Sequence, residues 1–102
     1  MKTKLLAIIA QGISRGVRRI YAQTVAPGDT MIYNDAARAA YNADILANWA
    51  SYGLHAAPAD VDLALRDPAN HANLNPLYVS GDITHYNSAG HVVACATWQA
   101  IL

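Results

Sequence analysis

One stripe of small apolar residues constrains this chain more than any other feature. Ile32, Ala36, Ala39, Ala43, Leu46 and Ala50 recur at steps of three and four as far as Tyr52, where Gly53 ends the pattern. That spacing is the period of one helix face, and Asp29 or Thr30 is placed to cap the helix. Most of the stripe is alanine, so whatever covers it, a sheet or a second helix, must approach closely. Asn34, Asp35, Arg38, Asn42 and Asn48 fall on other sides of the same helix.

The flanking segments give an order. Leu5, Ile8, Ile9, Gly12 and Ile13 share a helical face, which predicts a helix over residues 3–15 with Gly16 stopping it. Residues 17–25 end in a β-branched, apolar run without alternation, then Pro27 and Gly28, which fits a strand covered on both faces. Ala59-Asp60-Val61-Asp62-Leu63-Ala64 reads as a second short strand, with Asp60 and Asp62 on one face. A loop with Pro68, Pro76 and Gly81 runs from 65 to 82, and a last helix starts at Asn87 as its N-cap. Helix, strand, helix, strand, loop, helix predicts an α/β architecture with two parallel strands and three helices. Two strands do not make a stable parallel sheet alone, so the pattern predicts the back part of a doubly wound fold.

Length and composition narrow the function. The 102 residues form one domain over 1–102, with seven basic and seven acidic residues and 14% charged side chains. A zero net charge argues against a nucleic-acid partner, because phosphate neutralisation needs excess Lys and Arg. So low a charged fraction in so small a domain predicts that a partner chain or a missing half covers apolar surface. No run approaches the roughly 20 apolar residues of a membrane span. Cys95 is the single cysteine, which excludes an internal disulfide, and it sits in an apolar run as a buried, inert thiol. Five of the seven basic residues lie in the first nineteen positions, and no acid precedes Asp29. Such a start has the charge pattern of a targeting segment, but its apolar run is short and no A-x-A site follows, so it reads as a surface helix.

The chemistry concentrates in Ser80-Gly81-Asp82-Ile83-Thr84-His85-Tyr86-Asn87-Ser88-Ala89-Gly90. An Asp three residues before a His, in a loop entering a helix, can build two-thirds of a triad. The carboxylate fixes one imidazole nitrogen and frees the other to take a proton. On spacing alone, a capping Asp beside a half-exposed surface His fits as well. Gly90 in the first helical turn would let that turn pack tightly and hold the loop. Tyr78 and Tyr86 flank the loop as candidate pocket walls. Trp49 and Trp98 read as packing residues, and His55 as a C-terminal dipole partner of the helix before it. His71, His85 and His91 have no helical ligand spacing, so no metal site is predicted.

Asp82-x-x-His85-x-x-x-x-Gly90 before an apolar terminal helix resembles the last block of the SGNH (GDSL-type) hydrolase superfamily. Residues 16–27 look like that family's late strand, 39–49 like the helix after it, and 59–64 like its next strand. The resemblance covers nearly the whole chain, but only the C-terminal half of a family member. It implies a flavodoxin-like three-layer α/β/α fold and hydrolysis of carboxylic esters or acetylated carbohydrates without metal or organic cofactor. It makes His85 the general base and Asp82 its orienting partner. The family's Gly-Asp-Ser block and Gly-x-Asn-Asp block have no counterpart here. Ser14, Ser51, Ser80 and Ser88 are the only serines, and Asn34-Asp35 lacks the preceding glycine. The expectation is a base without a nucleophile, inactive alone, whose partners are a complementing N-terminal half or a second copy paired through an exposed sheet edge, and an ester substrate. The alternative is a non-catalytic α/β interaction module or an inactive remnant.

Overall fold

A computed structural model describes residues 2–29 and 34–102. Its elements are four helices: α1 (Lys2–Ser14), α2 (Asp35–Asn48), α3 (Val61–Leu65) and α4 (Ser88–Gln99). Among the described residues there is no sheet, only three isolated bridges: Gln23 with Ala59 in parallel, and Arg66 with Leu74 and Val79 with Tyr86 antiparallel. The α/β architecture with parallel strands is therefore incorrect, and so is the flavodoxin-like, three-layer arrangement built on it.

The reasons lie in particular side chains. Residues 20–24 do run extended beside 55–59. His55 N–H donates to Ile20 O (2.8 Å), Ala59 N–H to Ala22 O (3.0 Å) and Thr24 N–H to Ala59 O (3.0 Å). The ladder stops one residue later, because the Asn42 side chain replaces a strand. Val25 N–H donates to Asn42 Oδ1 and Asn42 Nδ2–H to Val25 O, both at 2.8 Å. The expected second strand is α3 instead. Asp60 accepts the Leu63 N–H as an N-cap, and a capped first turn outweighs the period-two pattern of residues 59–64. Asp60 and Asp62 thus do not share a strand face.

The alanine stripe of α2 is also turned the other way. Its buried residues are Arg38, Asn42 and Ile45, while Ala36, Ala39, Ala43, Leu46 and Ala50 are exposed. The helix is capped by Asn34, which accepts from Ala37 N–H. Thr30 and Ile32 lie outside the described residues. Helix α1 does end at a glycine. Gly16 has φ +85°, its N–H donates to Ile13 O, and Val17 N–H reaches back to Gly12 O, a Schellman closure.

The core is small. Val61, Leu65 and Leu74 form its buried cluster, with Tyr78, Tyr86, Val93 and Trp98 packed around it, and α3 lies against α4. Its polar counterpart is a buried network. Arg38 donates to Asp62 (2.7 Å), Asp35 (2.8 Å), Val25 O (3.0 Å) and His71 O (3.0 Å). The Thr24 hydroxyl donates to Asp60 (3.0 Å) and accepts the Asp62 N–H (2.9 Å). The network joins residues 24–25 to both α2 and α3. Cys95, expected to be buried, is exposed on α4.

Candidate active site

Helix α4 positions the site from below. Asn87 caps it by accepting from Gly90 N–H (2.9 Å), and the same side chain donates to Leu77 O (3.0 Å) and Val79 O (3.3 Å). One residue therefore starts the helix and ties the incoming loop to residues 77–79. Gly90 fits where it does because any Cβ there would lie 2.6 Å from Tyr78 O. The loop closes on itself through Ser80 N–H to His85 O (2.8 Å) and Asn87 N–H to Tyr78 O (2.9 Å).

Inside that loop Asp82 is the organiser. Its Oδ1 accepts the Ser80 hydroxyl (2.6 Å), the Thr84 N–H (3.1 Å) and the His85 N–H (3.0 Å). Its Oδ2 accepts from Nδ1 of His85. These donors hold the Asp82 carboxyl well below the ordinary carboxylate range, the Ser80 hydroxyl first among them. Ile83 takes φ +57°, a left-handed conformation that a β-branched side chain rarely adopts. The strain sits between the two candidate catalytic residues, where such outliers cluster.

The predicted pair, Asp82 and His85, is thus brought together as a hydrogen-bonded dyad, with the His85 ring open to solvent. With Nδ1 engaged, Nε2 is the nitrogen left for proton transfer. His85 lines a groove of about 570 Å³, walled by Val25, Ala26, Pro27, Ala37 and Tyr86, with Gln23, Arg38, Thr84 and His91 also at its surface. Ser80 is on the wrong side of the dyad to be its nucleophile, since its hydroxyl is bound to the carboxylate rather than to the imidazole.

No family model matches the chain, and no curated protein matches it.

Some of the remaining residues take the places their spacing predicts, as Tyr86 and Trp98 do, and others do not. Tyr86 lines the groove, whereas Tyr78 belongs to the core cluster. His55 stacks edge-on against Tyr21, and His71 contributes its carbonyl to Arg38. Trp98 packs on the core and donates from Nε1 to Gln23 Oε1 (2.7 Å). Among the described residues no three His, Cys, Asp or Glu side chains converge as a metal ion would require. Arg38 and Ser80 were the unforeseen members. A polar residue facing a helix interior carries no periodic signal, and a serine two residues before an Asp is common in any turn.

Proposed function

We propose that this chain supplies the base half of a Ser-His-Asp ester hydrolase resembling the SGNH type, with His85 as general base and Asp82 as its orienting partner. The observation that carries the reading is the His85–Asp82 hydrogen bond at the edge of an apolar groove. In the assembled site, a serine hydroxyl from a complementing segment would attack the ester carbonyl. His85 Nε2 takes that proton and passes it to the leaving alcohol. A water molecule then attacks the acyl-enzyme, again giving its proton to Nε2, which returns it to the serine oxygen as the carboxylic acid leaves. Asp82, held ionised, stabilises the imidazolium in both steps.

The complementing segment must bring a nucleophile and oxyanion donors, each worth several kcal/mol in the transition state. Two features favour its docking beside residues 20–24. The main-chain groups of Tyr21 and Gln23 take no partner among the described residues, while Ile20, Ala22 and Thr24 bond to the 55–59 segment. The alanine face of α2 is also uncovered. The same two features support the second reading, a non-catalytic interaction module that pairs through this edge with another chain or a second copy.

The test is hydrolysis of a chromogenic short-chain ester by the 102-residue chain, alone and mixed with a candidate N-terminal half carrying Gly-Asp-Ser and Gly-x-Asn-Asp blocks. Activity in the mixture only, abolished by His85→Ala, is the expected result. Activity from the chain alone would overturn the account of the missing nucleophile. A folded but silent mixture would favour the interaction module.

A further inference from the structure

We infer that the outer face of α1 and the segment after it form a docking surface for an anionic lipid bilayer. Lys4, Ile8, Gln11 and Arg15 follow one another at steps of three and four, so they form a single stripe about 16 Å long. All four are exposed. The Schellman closure bends the chain back, placing Val17 against Gly12 on the flank of that stripe. Arg18 and Arg19 follow directly, both exposed. Ile8 is 65% and Val17 49% solvent-accessible, so two apolar side chains stand among four cations.

Charge singles out this face within a neutral molecule. Among the described residues no carboxylate pairs with Lys4, Arg15, Arg18 or Arg19, whereas Lys2 is held by Asp44 (3.4 Å). Arg38 and Arg66 are neutralised by Asp35 and Asp62. The zero net charge therefore hides a cationic pole at α1, and an approaching polyanion meets that pole and not the average. Between polyanions, the apolar groups decide. A bilayer interface accepts Ile8 and Val17 beneath the headgroups while the basic side chains meet anionic lipid. A single-stranded nucleic acid would call for aromatic stacking, and residues 1–20 contain no aromatic side chain.

The test is co-sedimentation of the full chain with vesicles of pure phosphatidylcholine and of phosphatidylcholine with about a third phosphatidylserine, at low and high salt. Binding to the anionic vesicles alone, lost at high salt, is expected. Arg15→Gln/Arg18→Gln/Arg19→Gln should weaken it about a hundredfold, since each basic side chain near an anionic surface is worth roughly a factor of five. Far-UV circular dichroism checks that this variant keeps its helices, and Ile8→Ser/Val17→Ser should weaken binding with every charge intact. Equal binding to neutral vesicles, no binding, or indifference to both variants would overturn the inference. So would oligonucleotide binding as tight as vesicle binding that survives Ile8→Ser/Val17→Ser.

Discussion

Asp82 is the residue on which the loop and the dyad both depend. Its carboxyl is depressed in the folded chain by the Ser80 hydroxyl, the His85 and Thr84 amides and the His85 ring. A depressed carboxyl adds order that is complete above the unfolded value, about 4, and is lost as the pH falls below it. The expected outcome is a fall in the protection of the Thr84 and His85 amides, relative to their intrinsic exchange rates, as the pH drops from 5 towards 2, and low protection throughout in Asp82→Asn. Protection that stays high through that range would remove the carboxylate from its organising role. Ile83 tests the same loop from the backbone. Its left-handed φ stores about 1–2 kcal/mol, and Ile83→Asn, which tolerates that region, should raise stability by about 1 kcal/mol in urea melts. The dyad was legible because Asp-x-x-His before a capped helix is a local pattern, and Asn87 and Gly90 sit where that pattern needs them. The left-handed residue was not, because an isoleucine gives no sign of it.

At the scale of elements, α2 decides how the protein is put together. Its exposed alanines and buried Arg38 and Asn42 invert the face that the apolar spacing predicts. Periodicity reports where apolar side chains lie, and here long-range polar pairing settles the rotation. Asn42 closes both main-chain groups of Val25, and apart from Asp35 the partners of Arg38 lie 13, 24 and 33 residues away, at Val25, Asp62 and His71. Removing Arg38 leaves Asp62 with only the partly exposed Arg66, at 3.3 Å, and takes the donor from Val25 O and His71 O. Arg38→Met should cost about 3 kcal/mol of unfolding free energy, and Arg38→Met/Asp62→Leu should recover part of it. A double variant as unstable as the single one would mean that Arg38 acts through its carbonyl contacts instead. Helix α3 departs from its sequence pattern for a related reason: Ala-Asp-Val-Asp alternates like a strand, but a cap at Asp60 is a discrete hydrogen bond that alternation does not register. In α4 the local signals agree with the packing. Gly90→Ala would drive a methyl group into Tyr78 O at 2.6 Å and should lower stability by about 1–3 kcal/mol in thermal melts.

On the scale of the whole molecule, these elements leave much apolar surface uncovered. Its buried apolar residues are few, and Ile8, Ile13, Leu63, Leu77, Val92 and Leu102 are each more than half exposed. The chain measures 41 × 27 × 20 Å with a radius of gyration of 14.3 Å, above the roughly 13 Å of a compact domain this long. A high apolar content and a low charged fraction therefore do not produce a large core within this chain. The surplus is spread over α1 (Ile8, Ile13), α2 (Leu46 and its alanines), α3 (Leu63) and α4 (Val92), and a complementing chain meets small side chains on α2 and open main-chain groups along 20–24. Anything that binds the folded form alone stabilises it by mass action, about 2.7 kcal/mol at a hundred times its dissociation constant. The isolated chain should therefore melt with low cooperativity, and its midpoint should climb with the concentration of a complementing half. Ala43→Glu, an exposed change that leaves the isolated fold intact, should abolish that climb while the melt of the chain alone stays within a few degrees. A midpoint indifferent to the added half, or a rise that survives Ala43→Glu, would move the docking surface away from the α2 face.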